Sequence, residues 1–337
     1  VKISQWLLTL ALFSFFGWTF FKQIHHYSED LASIKDESLR LWPAFSVVLI
    51  SFLLAMILRA HRWALTLGQP KQLWGCFRSI SIGYLIQCPL SKLGEFARIA
   101  NQRKTGNNPI GILLSTVFVD RLLDVLFMGI LLITCLYFEK NRFTHSFPEI
   151  GAFAPKLSVL MAVGLVAMVI FVALKKRLIL SLESITFLSE GLKSKITALL
   201  SQIDEGFSMC KSPLMVAYLF ISSTLVWGLY FLCFYLAVGL YPQLSLLTIW
   251  DIFVVFTIST VGVLIPVPGG IAYPIFIKSG IMMVAPSVEP ATAFSIALIV
   301  YCFNFWFINL LCGGASWLWQ IAIPVRKRQP SEATTHA

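Results

Sequence analysis

Charge is what this sequence has least of. Only 12% of its 337 residues are Asp, Glu, Lys or Arg, about half the ~25% usual in soluble domains. Apolar residues make up 58% and the mean hydropathy is +0.81. A soluble protein of this size must still cover a large surface with polar groups, so a soluble globule is excluded. Enzyme signatures are missing as well: there is no P-loop, H-E-x-x-H, G-x-S-x-G or dinucleotide-type glycine fingerprint. The five histidines form no ligand cluster, so neither a metal nor another cofactor is expected. The seven cysteines are odd in number, contain no C-x-x-C pair and lie mostly in apolar runs. They read as small buried hydrophobes and not as a disulfide frame.

What is present is a series of long apolar runs. A helix needs ~20 such residues to cross ~30 Å of hydrocarbon. Runs at 3–21, 41–58, 157–174 and 213–239 qualify. A tilted helix over about 291–312, broken near Gly313-Gly314 with Trp317 and Trp319 at the interface, makes a fifth. The sixth, 111–138, is interrupted by Asp120, Arg121 and Asp124. The first run follows Lys2 and lacks a small-x-small cleavage pattern, so it is expected to remain as a signal anchor.

Two apolar stretches carry proline and glycine where a spanning helix would want neither. One, roughly 75–100, holds Gly83, Pro89 and Gly94; the other, roughly 250–285, holds Gly262, Pro266, Pro268, Gly269 and Gly270. Broken backbone at membrane depth must be buried in protein or line a wet cavity, and these residues are expected to break two re-entrant hairpins. The stretches also match each other. Gly83-x-Leu85-Ile86-x-x-Pro89 overlays Gly262-x-Leu264-Ile265-x-x-Pro268 at an offset of 179, and the flanking runs follow at the same offset. The alternative, that Pro and Gly simply recur in membrane helices, stays open.

The expected fold is thus all-α and polytopic, with six spanning helices plus two re-entrant helical hairpins in an inverted-topology repeat. One transmembrane domain would fill 1–337, with repeat 1 over about 41–138, repeat 2 over about 213–322 and a tail at 323–337. An amphipathic connector over about 175–211 would run between the repeats, since Leu178, Leu182, Ile185, Leu188 and Leu192 follow three-and-four spacing.

The net charge of +10 does not indicate nucleic acid, because the basic residues sit between apolar runs. They serve as topology signals and contacts to anionic lipid. Eighteen of the 26 Lys and Arg fall in 59–78, 92–104, 175–211 and 326–328 together with Lys2. Placing these in the cytoplasm makes both termini cytoplasmic. This works only if each hairpin enters and leaves on one side.

Ionisable residues inside the apolar stretches are the candidate site. Each costs ~2.5–3.5 kcal/mol at a helix centre. Asp120 and Asp124 share a face, and Arg121 can pair with Asp124. They form either a polar wall that handles a headgroup or proton, or a self-neutralised pair that locks packing. Glu95 and Arg98 share a face of the segment after Pro89, whose N-terminal end would attract phosphate; the alternative is a cytoplasmic loop. Lys278 stands alone between Asp251 and Glu289, either to meet a phosphate or to snorkel. His61, between Arg59 and Arg62, reads as interfacial.

Gly94-Glu95-x-x-Arg98, Arg121-x-x-Asp124 and Pro266-x-Pro268-Gly269-Gly270-Ile271, in this order, resemble the flippase-like family named after the membrane domain of lysylphosphatidylglycerol synthase. The similarity runs from about 5 to 322. It implies a polytopic protein of the bacterial cytoplasmic (inner) membrane, and makes Glu95, Arg98, Arg121 and Asp124 cavity residues. Multidomain members flip aminoacylated phosphatidylglycerol, while many standalone members have unassigned lipid substrates. The family's Pro-Gly-Gly-x-Gly is often followed by a glutamate, and here Ala272-Tyr273-Pro274 replaces that pattern. The synthase's aminoacyl-transfer domain is absent from this sequence, which is not expected to make lysylphosphatidylglycerol alone.

The expected function is a lipid flippase and not an enzyme. A charged-headgroup lipid, such as aminoacylated phosphatidylglycerol, would pass between the two hairpins. Arg98, Arg121 and Lys278 would offset its phosphate, and Glu95, Asp120 and Asp124 would meet any amine. The alternatives are a transporter, phosphatase or transferase for polyprenyl-phosphate-linked lipids, and a non-transporting partner of an envelope lipid-synthesis enzyme.

Overall fold

The computed structural model describes residues 42–90, 93–106, 108–146, 212–239, 241–265 and 267–322. Among these the chain is all helical, with no strand. The helices are α1 Trp42–Thr66, α2 Leu73–Leu90, α3 Leu93–Gly106, α4 Ile110–Phe138, α5 Lys140–Ser146, α6 Pro213–Val238, α7 Ile249–Leu264, α8 Ala272–Val284 and α9 Pro290–Ala322. Four of them, α1, α4, α6 and α9, are long and apolar enough to cross a membrane, whereas α7 and α8 are apolar but too short. The expected spans at 3–21 and 157–174, the connector at 175–211 and Pro266 lie outside the described residues.

Local chemistry sets the boundaries. Proline opens α6 (Pro213) and α9 (Pro290) in the first turn, where its missing N–H costs nothing. A reciprocal pair, Thr248 and Asp251, caps α7. Asp251 also accepts a 2.7 Å bond from Arg142 of α5, and Trp250 donates to Glu139 at 2.6 Å. These contacts pin the start of α7 to the end of α4. In α1, the apolar run ends at Leu58 but the helix does not. Nothing before Gly68, where φ is 66°, breaks it. The expected span at 41–58 therefore continues through Arg59 and Arg62, and both side chains are buried within the bundle. Arg59 and Arg62 are thus buried helix residues and not loop residues, a correction to the sequence expectation.

Adding 179 to α3 gives 272–285, where α8 runs Ala272–Val284; adding it to α4 gives 289–317, where α9 runs Pro290–Ala322. Helices α2 and α3 fold back on each other, as do α7 and α8, and both pairs close on a glycine. A Cβ at Gly83 would lie 2.8 Å from the Gly94 carbonyl oxygen and 2.9 Å from Arg98 Cβ; one at Gly262 would lie 2.9 Å from both the Ala272 carbonyl oxygen and Tyr273 Cα. Gly83, Gly94 and Gly262 are thus close-contact residues inside helices and not breaks, a correction to the sequence expectation. Pro89 lies in the last turn of α2. The break between α7 and α8 falls at Pro268–Gly270, where Gly269 (φ 70°) and Gly270 (φ 67°) adopt the left-handed backbone that side chains disfavour. Likewise, α9 runs unbroken through Gly313-Gly314 to Ala322. Gly313 packs under Ser81 and Leu85 of α2, and the irregularity of α9 is a π-helical turn at Cys302–Phe307.

Methyl groups at the two kinds of glycine should behave oppositely. Gly83→Ala is expected to cost about 1–3 kcal/mol, because backbone and not a flexible side-chain end opposes the new atom. Gly228 of α6 has nothing within 4 Å of its would-be Cβ. Gly228→Ala should be neutral or stabilising by up to ~1 kcal/mol. Thermal unfolding of the two variants in detergent checks both signs.

Candidate functional site

The ionisable residues of α1, α3 and α4 converge into one buried cluster. Asp120 on α4 is its hub. Its Oδ2 accepts from Arg59 Nη2 and Arg98 Nη1, each at 3.0 Å, and its Oδ1 accepts from Arg62 Nη2. Asp124, one turn on, accepts from Arg59 Nη2 at 2.8 Å and lies 3.2 Å from Arg121 Nη1. Glu95, in the first turn of α3, lies 3.0 Å from Arg121 Nη2 and 3.5 Å from Arg98 Nη1. Arg62 also donates to Ser223 of α6, and Arg59 to Tyr230 at 3.4 Å. The cluster thus ties α3 to the bundle formed by α1, α4 and α6.

Aromatic faces wall the guanidinium groups. Arg98 lies 4.1 Å above the Trp63 ring, and Arg59 is 5.9 Å from the ring of Tyr84. Trp63 is in turn held by a 3.0 Å bond to Thr116. Such walls exclude water, which strengthens every charge interaction inside them.

Two features of the cluster bear on whether it could bind a ligand. First, its charges do not cancel. Four guanidinium groups face three carboxylates, leaving one positive charge over. Buried donors also remain unused: Nε of Arg59, Arg62, Arg98 and Arg121, and Nη2 of Arg98, have no hydrogen-bond partner. Buried polar groups left unpaired are costly and call for a ligand or water. Second, among the described residues the cluster is partly exposed at the edge formed by Arg121 and Glu95. The Arg59, Arg62, Arg98 and Asp120 side chains are at most 5% exposed, whereas Arg121 is 35% and Glu95 22% exposed. Exposed apolar residues flank that edge: Phe118 and Val125 sit three before and four after Arg121 on α4, and Phe96 follows Glu95. A charged mouth in an apolar wall can admit an anion whose remainder is hydrophobic.

Five of the six residues expected from sequence (Glu95, Arg98, Asp120, Arg121 and Asp124) therefore meet. Lys278 does not: it lies on α8 with its ammonium 5.6 Å from the Phe294 ring. Sequence reasoning missed Arg59 and Arg62. The signal available was their three-residue spacing on an unbroken helix. The expected location also differs. The cleft between the two helix pairs is lined by Gln87, Val263, Ile265, Val267, Gly270, Tyr273 and Phe305 and is nearly closed, with a cavity of about 10 Å³. None of the six charged residues lines it. Tyr301 donates to the Gly269 carbonyl and accepts from Trp306 at 2.6 Å, while the Phe305 ring lies against Gly270. These contacts pack the second break against α9. Among the described residues no His, Cys, Asp or Glu group could hold a metal ion.

The family model for the lysylphosphatidylglycerol synthase TM region matches residues 6–312. The chain belongs to that family. It is a multi-pass membrane protein whose family is tied to lipid metabolism. No curated protein and no solved structure matches it.

The hub and the rim of the cluster should differ in cost. Asp120→Ala strips the shared carboxylate from three buried arginines, and is expected to destabilise by about 3–5 kcal/mol. Arg121→Ala, at the solvent-accessible rim, should cost about 1 kcal/mol or less. Melting temperature and the yield of monodisperse protein distinguish them; equal losses would mean that the rim is as structural as the hub.

Proposed function

We propose that this chain is a lipid flippase, a transporter and not an enzyme, which moves a phosphate-bearing lipid between leaflets. The observation that carries the reading is the buried arginine cluster: net positive, with unused donors, and open at one edge onto an apolar wall. The phosphate would enter beside Arg121 and Glu95 and reach Arg98, while the tails stay outside against Phe96, Phe118 and Val125. Guanidinium groups suit this task because their fixed forks bind phosphate oxygens pairwise.

The architecture that fits is six spans with two re-entrant hairpins, α2–α3 and α7–α8, in an inverted-topology repeat. The 179-residue offset relates the helix bounds and the glycine contacts of the two halves. Helix pairings correspond too: α1 with α2 matches α6 with α7, α3 with α4 matches α8 with α9, and α1 packs on α6, its own counterpart. Both termini would be cytoplasmic in the bacterial inner membrane, with the first hairpin opening inward. Transport would come from one repeat rocking on the other and opening the cleft held by Tyr301.

The halves are not chemically equivalent. The positions 179 after Arg59, Arg62, Glu95, Arg98, Asp120, Arg121 and Asp124 are Val238, Tyr241, Pro274, Ile277, Ile299, Val300 and Phe303. Most of these belong to one apolar core. Headgroup charge would be met in the first repeat, and the second would supply the seal.

Leaflet assays in proteoliposomes with a panel of headgroup-labelled lipids test this. One phosphate-bearing class should flip faster than in empty vesicles. Arg98→Lys, which removes the fork, and Arg121→Ala should each slow it at least about tenfold, the scale of a lost charge-assisted hydrogen bond. If no lipid class moves above the empty-vesicle rate, the flippase reading is wrong.

A further inference from the structure

The three carboxylates of the cluster are held very differently. Asp120 accepts from three arginines and Asp124 from Arg59. Glu95 accepts no hydrogen bond from either arginine it faces. Its Oε2 is buried without a partner, and its ion-pair distances of 3.0 and 3.5 Å lack hydrogen-bond alignment. It is also the most exposed of the three, and stands in the first turn of α3, where the helix dipole favours an anion. Opposite it, Arg98 is 2% exposed with Nε and Nη2 unpartnered. Glu95 thus occupies an anion position without exploiting it.

We infer that Glu95 is a displaceable counter-ion, an internal stand-in for the ligand's phosphate. The inference rests on the phosphate-binding reading above and adds how the site is regulated. In the resting protein Glu95 lies against Arg98 and Arg121 and limits the excess positive charge to one. An incoming phosphate takes over these two arginines through better-aligned, bidentate bonds, and Glu95 swings to the open edge. When the lipid leaves, Glu95 returns, so the four arginines never face low-dielectric surroundings with only two carboxylates. The exchange also shortens occupancy: Glu95 competes for the position and helps to expel the phosphate. No covalent bond changes, and no proton need move.

A carboxylate that merely structured the cluster would weaken binding when neutralised, whereas a competitor would strengthen it. The experiment is binding of dihexanoyl phosphatidylglycerol, with dihexanoylglycerol as the phosphate-free control, to the detergent-solubilised full chain, alongside flipping in proteoliposomes. Glu95→Gln keeps the side-chain shape and removes the charge. It should bind the phosphate probe about tenfold or more tightly, flip more slowly, and leave binding of the control unchanged. Glu95→Asp, charged but shorter, should fall between. If Glu95→Gln binds the probe as wild type does or more weakly, while Arg98→Lys abolishes binding, the phosphate site stands and the displacement is wrong. If neither wild type nor Glu95→Gln binds the phosphate probe better than the control, the displacement falls together with the phosphate-binding reading.

Discussion

One carboxylate organises the polar part of this membrane protein. Asp120 is buried in the middle of an apolar helix, where an unpaired charge would be untenable, and its two oxygens are shared among arginines from α1 and α3. Because the partners come from other elements, compensating one charge fixes the relation of three helices. It also carries an excess: satisfying Asp120 from three sides brings in more positive charge than it cancels, and Asp124 and Glu95 offset only part of the remainder. A buried ion network of this kind gives little stability over a well-packed apolar core. In the equivalent positions of the second half the chain has such a core instead. Within one molecule, charge ties the helices together in the first half and apolar packing does so in the second.

The two halves divide the labour in a way that follows from their residues. The first half supplies the buried charges, with Arg121 and Glu95 partly exposed at their edge. The second half supplies a break with two left-handed glycines, packed against Tyr301 of α9 and Phe305 and Trp306 of its π-helical turn. Single π-helical turns inside α-helices are rare, and those that occur are frequently at functional sites. Glycine contacts inside each helix pair let the two arms lie close together.

Much of this was legible in sequence. Three-residue spacing brought Glu95 to Arg98 and Arg121 to Asp124, and charges inside apolar stretches announced the cluster. The offset of 179 read from a few letters also relates α3 to α8, and the start of α4 to the start of α9, to within one residue. The failures have physical causes. Ending a span at its first charge hid Arg59 and Arg62, because helices stop at breakers and not at charges. Glycine signals either a break or a close approach, and only the packing partner tells which. Gly83, Gly94, Gly262 and Gly313 proved to be of the second kind and Gly269 and Gly270 of the first. The isolation of Lys278 could not be read at all, because spacing along one helix says nothing about which neighbouring helix it faces.

The central claim is that lipid phosphate contacts the buried guanidinium groups. The most direct measurement is the dipolar coupling between lipid phosphorus and arginine side-chain nitrogen in reconstituted bilayers of the ¹⁵N-arginine-labelled protein. The account predicts a coupling corresponding to about 4 Å, the separation of a guanidinium nitrogen hydrogen-bonded to a phosphate oxygen, that disappears in the Arg98→Lys, Arg121→Lys double variant. A coupling unchanged in that variant would place the phosphate on peripheral arginines such as Arg78 or Arg103, and would contradict it.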